Sequence, residues 1–310
     1  MLYAALRLIR FPNLLLVLLT QYLVYAGLLM PAFSAHRIAP ILDDVHFALF
    51  ALDTLLVSAG GYLINDIIDF RIDLYNKPEQ VIINRHIRIQ TAYWLYFVLN
   101  LLGFFLAFYL ALYAGNVALA NLYPLAVALL FVYSSHLQRL PLLGNLVIAL
   151  FCAGVAGIVW FAERAGFAEL SRIDPDRAGQ VAAIIVWYLV FALLSTLYRE
   201  LIKDTEDMRG DLGGRYRTVP IAWGVRAAKG IAAAFGFSLA VFLLLMVYRE
   251  RDLFDEPVLF YGSIGLLVPL GLSLYWLFRA ESKQDYHRLS QLAKFIMLCG
   301  LLLLLLLIIL

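Results

Sequence analysis

The sequence predicts an all-α integral membrane fold, a bundle of nine transmembrane helices, and three observations carry that expectation. The 310 residues are 64% hydrophobic and only 15% charged, with a mean hydropathy of +0.86. That is more apolar surface than a water-facing domain can cover. Apolar stretches of bilayer length recur along the whole chain. Lys and Arg gather on alternate connecting segments, as the orientation rule for membrane proteins requires.

The spans fall at 13–33, 46–66, 91–113, 117–135, 142–162, 180–202, 220–247, 257–278 and 291–310. Each must be helical, because in lipid only a helix satisfies its own backbone hydrogen bonds. The start resembles a secretory signal, with small residues from Ala32 to Ala35. The run from Leu14 to Phe33 is long enough to span, however, and is read as an uncleaved first helix. Of the 24 Lys and Arg, 18 lie on the face that holds the N-terminus and six on the other. This predicts a cytoplasmic N-terminus and an outer C-terminus in a bacterial or archaeal plasma membrane, with residues 1–310 forming one membrane domain. The net charge of +2 and the lack of any basic arm exclude a nucleic-acid partner.

Polar residues concentrate at the cytoplasmic ends of the second and sixth spans. The first segment runs from Asn65 to Asp73 and the second from Lys203 to Asp211. Both contain DxxDxxxD, as Asp66, Asp69, Asp73 and as Asp204, Asp207, Asp211, at one constant offset. At 100° per residue, positions i, i+3 and i+7 fall within about 60° of one another, so each triplet projects from one helix face. Four spans separate the segments, which puts both at the same side of the membrane, where two acidic faces can meet across one cavity.

An Asp at the centre of a membrane helix costs about 2.5–3.5 kcal/mol, so these acids must face a wet or metal-filled interior. Clustered carboxylates repel unless cations neutralise them. Hard oxygen donors in this arrangement suit Mg²⁺, two ions in all, completed by water and phosphate oxygens. A solvated helix end paired with nearby Arg and Lys would explain one such segment, but not two of matched spacing in a chain poor in acids. Arg71, Lys77, Arg85, Arg199, Lys203 and Arg209 supply positive charge for a diphosphate.

Other polar residues carry less. Cys152 and Cys299 sit in apolar runs without metal-ligand spacing and read as packing residues. The five histidines show no HxxxH or HExxH spacing. Asp53 lies about 18 Å along its helix from Asn65, too far to share one metal centre, and reads as a buried, hydrogen-bonded structural acid.

The two segments resemble those of the UbiA superfamily of intramembrane prenyltransferases. Its first motif, NxxxDxxxD, is matched by Asn65, Asp69 and Asp73, and its second, DxxxD, by Asp207 and Asp211. The resemblance extends to nine helices, Arg10-Phe11-Pro12-Asn13 before the first helix, the Asn76-Lys77-Pro78 turn, and the stretch from Tyr133-Ser134 to Gly144-Asn145. Lys203 to Asp211, followed by Arg217-Thr218-Val219-Pro220, is similar to the branch that prenylates geranylgeranylglyceryl phosphate. Two departures stand out: the family commonly has Lys-Arg where this chain has Gln138-Arg139, and a Gly where His86 follows Arg85.

The resemblance implies Mg²⁺-dependent transfer of a prenyl group from a prenyl diphosphate to a lipophilic acceptor, or alternatively to an aromatic acceptor or heme. It implies catalytic roles for Asn65, Asp69, Asp73, Asp207, Asp211 and Lys203. Asn65, Asp66, Asp69 and Asp73 would hold one Mg²⁺, and Asp204, Asp207 and Asp211 the other. Asn13, Lys77, Arg85, Tyr133, Tyr198 and Arg209 would contact substrate, and loops 70–90 and 204–219 would form a lid. The rival from another class is a secondary ion transporter, whose acids belong near the midplane on broken helices rather than at one end. A CDP-alcohol phosphotransferase would need a DGxxAR segment, which this sequence lacks.

Overall fold

The computed structural model describes residues 2–76, 78–214, 216–249 and 256–309. Among them, nine helices are long and apolar enough to cross a membrane: α1 Phe11–Ala35, α2 Asp44–Leu74, α3 Ile89–Tyr113, α4 Val117–Arg139, α5 Leu143–Ala162, α6 Pro175–Gly213, α7 Val225–Arg249, α8 Glu256–Arg279 and α9 Lys283–Ile309. The sole β pairing among the described residues is an isolated bridge between Ile83 and Ile87. Large apolar side chains such as Trp94, Phe105, Phe237, Leu245 and Phe295 stand exposed around the bundle, as a lipid-facing surface demands.

The hydropathy pattern places the spans but not the full length of α2 and α6. The 39 residues of α6 extend about 58 Å at 1.5 Å per residue. It starts where Asp174 caps it by accepting from the Arg177 backbone N–H at 2.9 Å, with Pro175 in the first turn. Both acidic segments are therefore continuous helix. This corrects the expected lids: residues 71–76 and 204–213 are α-helical, 78–80 form a 3-10 turn, and helix resumes at Ile89 and Val219. A second difference lies in α1, whose middle, Leu23–Leu29, widens into a π-helix.

The bundle is built around α6, which packs against α5, α7, α9 and α2. Small residues permit the close approach. A Cβ on Gly300 would sit 1.9 Å from the Phe191 ring, so α9 reaches α6 there only because residue 300 has no side chain. A smaller core of Ala4, Leu8, Leu63, Ile67, Ile82, Ile83 and Ala92 fastens the short N-terminal helix Leu2–Leu8 and the 81–87 loop onto α2 at its acidic end.

At the opposite end, Glu163 is fully buried and its carboxylate accepts the backbone N–H groups of Ile41, at 2.8 Å, and Leu42, at 2.9 Å. Those bonds pin the α1–α2 connection to the end of α5. Burial raises the Glu163 pKa, and the two N–H donors act against that rise. Glu163→Ala is expected to strand both donors and cost roughly 2–4 kcal/mol, while Glu163→Gln, which keeps one acceptor oxygen, costs less. Unfolding in detergent micelles checks the order.

Candidate active site

The end of α2 presents Asn65, Asp66, Asp69 and Asp73 on one face, as the spacing requires. Each of the first three is held by a neighbouring element. Asn65 Nδ2 donates to Asp69 Oδ2 at 2.9 Å and to Gln138 Oε1 at 2.8 Å. Gln138 Nε2 donates to Asp69 Oδ1 at 2.8 Å, and the Tyr216 phenol donates to the same oxygen at 2.6 Å. Gln138 comes from the end of α4, and Tyr216 from the stretch after α6. Asp66 Oδ1 accepts from the Arg10 guanidinium at 3.0 Å. Arg10 takes the left-handed conformation, φ 51°, just before α1, and its guanidinium lies 4.9 Å from the centre of the Tyr62 ring.

The end of α6 answers from across the mouth. Asn145, buried near the start of α5, donates to Asp204 Oδ2 at 2.9 Å. One turn deeper, buried Glu200 pairs with Arg199 and lies 3.8 Å from Lys203 Nζ. Glu206 points elsewhere, to His287 of α9 at 2.8 Å. Asp211 is buried and within electrostatic reach of Asp204, Asp207, Lys203 and, across the mouth, Asp69. Tyr133 likewise senses Glu200, Asp204, Asp69 and Arg10. The two acidic faces share one space.

Lys203, Arg10 and Asp66 reach this mouth with 36%, 40% and 22% of their side chains accessible. The mouth combines carboxylates, these two cations and the Tyr133 ring.

The structure brings Asn65, Asp66, Asp69, Lys203, Asp204, Asp211 and Tyr133 together, with half-buried Asp73 and Asp207 on the same helix faces. Asn13 lies near the hydroxyl of Tyr62, whose ring stacks under the Arg10 guanidinium. It does not bring in three of the other expected residues. Tyr198 is 1% exposed, its hydroxyl 2.7 Å from Ser273 Oγ in the core between α6 and α8, because it lies on the far side of α6. Arg209 is exposed, and Arg85 sits in an open loop 3.9 Å from Glu79. Lys77 lies outside the described residues. Asp53 is distant, as expected, but its Oδ1 is buried without a hydrogen-bond partner rather than bonded.

Five residues of the site escaped the sequence reading: Arg10, Gln138, Asn145, Glu200 and Tyr216. Gln138 and Asn145 stand in stretches noted only for their resemblance, and nothing about a single neutral amide marks it as a partner of an acid.

A resident ion would have to fit these donors. Among the described residues, no three His, Cys, Asp or Glu side chains converge to cage a metal. That excludes a closed structural site but suits Mg²⁺, which takes one or two carboxylates and completes its octahedron with water and phosphate. The donors fit a divalent ion carried between protein and diphosphate.

Among the described residues the chain is an all-helical bundle of membrane-spanning length with two carboxylate segments at one mouth. Comparison with known proteins makes this specific: the UbiA prenyltransferase family matches over residues 23–302, and the chain belongs to that family. Among its relatives are the digeranylgeranylglyceryl phosphate synthases of Thermococcus gammatolerans, 29% identical over 87% of this chain and 88% of that one, and of Methanococcoides burtonii, 32% identical over 82% and 81%. The solved structure of a digeranylgeranylglyceryl phosphate synthase shares the fold with a TM-score of 0.69 at 22% identity, covering 100% of this chain and 99% of that one. A UbiA homologue from Archaeoglobus fulgidus bound to DMAPP and Mg²⁺ shares it with a TM-score of 0.57 at 14% identity, covering 97% and 98%. The protein is a prenyltransferase.

Arg10→Met removes the partner of an enclosed carboxylate and is expected to cost roughly 1–3 kcal/mol of stability. Arg10→Lys, which keeps the charge but not the planar fork, should lose less. Thermal melting of both variants in the same detergent checks this.

Proposed function

We propose that this chain transfers a prenyl group from a prenyl diphosphate to geranylgeranylglyceryl phosphate, forming an ether lipid precursor with the help of two Mg²⁺ ions. The observation that carries the reading is the meeting of two acidic helix ends at one mouth, where Tyr216, bonded to the Asp211 carbonyl, also donates to Asp69, with Lys203 on the second helix end. Similarity to digeranylgeranylglyceryl phosphate synthases over more than four-fifths of both chains supports the acceptor.

Asn65 Oδ1, Asp69 and Asp73 would serve one ion and Asp207 and Asp211 the other, each ion taking one or two carboxylates at a time, with Asp204 beside the second. When bound, Mg²⁺ would supply Lewis-acid charge that bridges the segments to the diphosphate and stabilises it as a leaving group. Lys203, fixed beside Glu200, adds positive charge to the same oxygens and holds the diphosphate at the mouth. The Tyr133 ring, set among the acids, offers its electron-rich face to the allylic carbon as positive charge develops there. The surrounding helices keep water from that carbon, which it would otherwise hydrolyse. The acceptor hydroxyl then attacks the allylic carbon, its proton passing to water or to the diphosphate.

The excess of Lys and Arg at the acidic end supports a cytoplasmic mouth and an outer C-terminus. The chain is read as a single membrane domain over residues 1–310.

Asp69→Ala and Asp207→Ala are each expected to lower turnover by at least about a hundredfold while the protein stays folded in the membrane. Chelation should abolish turnover and added Mg²⁺ restore it. Geranylgeranyl and farnesyl diphosphates offered with glyceryl phosphate, aromatic and heme acceptors, with products read by mass, test the assignment. Transfer to an aromatic acceptor alone would replace the ether-lipid reading, and wild-type turnover in either Asp variant would remove that residue from the site.

A further inference from the structure

Asp69 is the most heavily bonded acid of the site. Its Oδ1 receives the Tyr216 phenol at 2.6 Å and Gln138 Nε2 at 2.8 Å. A carboxylate oxygen offers two lone-pair directions, so Oδ1 is full. Among the described residues Oδ2 receives Asn65 Nδ2 at 2.9 Å, which leaves one of its two directions for an ion. Both Asn65 N–H groups are spent, on Asp69 and Gln138, which leaves Asn65 Oδ1 as its remaining donor atom.

The Tyr216 phenol is held from three sides. Its backbone N–H donates to the Asp211 carbonyl at 2.9 Å, and the next residue, Arg217, donates to the Arg139 carbonyl at 2.9 Å. The Arg139 guanidinium lies 5.0 Å from its ring centre. The chain reaches α2 at Gly214, where a Cβ would sit 2.6 Å from Ile72. Tyr216 is 6% exposed, and its phenol carries a hydrogen that it donates to Asp69.

We propose that Tyr216 and Gln138 are positioning residues for the metal site: by filling Asp69 Oδ1, they restrict Asp69 to one-oxygen coordination through Oδ2. One-oxygen coordination suits the small octahedron of Mg²⁺, whereas a carboxylate free to turn can offer both oxygens, which suits the larger shell of Ca²⁺. Tyr216 follows the second acidic segment but bonds the first, so the two segments are set relative to each other before any ion arrives. The inference rests on the divalent-metal reading above and adds the residues that tune it.

The test uses the full chain in lipid nanodiscs with inorganic pyrophosphate. Mn²⁺ binding is followed by the loss of the free-ion paramagnetic resonance signal, then Mn²⁺ is displaced with Mg²⁺ or Ca²⁺. Tyr216→Phe and Gln138→Leu each remove one donor to Oδ1. Each is expected to weaken Mn²⁺ about tenfold and to shift the displacement preference toward Ca²⁺, without lowering the melting temperature of the metal-free protein in parallel. Unchanged Mn²⁺ affinity and unchanged Mg²⁺ preference in both variants would overturn the proposal while leaving the metal reading intact, and so would affinity that falls only as far as melting does. Equal Mn²⁺ binding by wild type and Asp69→Asn would instead overturn the metal reading at Asp69, and the positioning role with it.

Discussion

Everything at the mouth of this bundle follows from the difficulty of keeping carboxylates inside an apolar body. Removed from water, each needs hydrogen-bond donors or a counter-charge, or it gives up its ionisation. The chain meets that need acid by acid. Asp66 has Arg10, Glu200 has Arg199 and Lys203, and Glu206 has His287. Asp69 and Asp204 have neutral donors instead: Asn65, Gln138 and Tyr216 for one, Asn145 for the other. The acids thus divide into those with basic partners and those held only by neutral donors among the described bonds.

That division depends on how the helices are arranged. α6 is long enough to carry a core stripe against α7, α8 and α9 through its membrane portion and still extend its acidic turns beyond them. Gly300 and Gly236 let α9 and α7 close on the α6 side chains Phe191 and Tyr198, which fixes the rotation of α6 about its axis. With the rotation fixed, Asp204 and Asp211 turn toward α2 and Glu206 toward α9. Packing deep in the membrane thus determines which acids reach the mouth.

Much of this was legible in the sequence. Nine apolar stretches, the two DxxDxxxD triplets and their common side require only helical periodicity and bilayer length. Part of what was missed was legible too. Tyr198 stands six residues before Asp204, about 240° around the helix at 100° per residue, and Arg209 stands two residues from both Asp207 and Asp211, about 200° away. Rotation alone sends them off the acidic face. Gln138, Asn145 and Tyr216 are different: they lie at helix ends and in short connections, where no periodicity acts. Their roles appear only once α4, α5 and the stretch after α6 converge on α2 and α6. The lid was misjudged because the polar composition of 204–213 looks like a loop, whereas its acids are spaced for a helix and the structure continues that helix.

The substitution of Gln138 for the Lys common in the resembling family is then more than a local departure. A Lys at this place, within reach of Asp69, would balance the carboxylate and compete with a divalent ion for it. An amide fixes the same oxygen without cancelling its charge, and Tyr216 does so as a neutral phenol from the other side. The cost is one fewer cation near the diphosphate. Lys203 and Arg10, 36% and 40% accessible, stand near the same mouth, each beside its own acid, Glu200 and Asp66. A site arranged this way fixes the orientation of Asp69 through two neutral donors, so neither Gln138 nor Tyr216 brings a counter-charge to it.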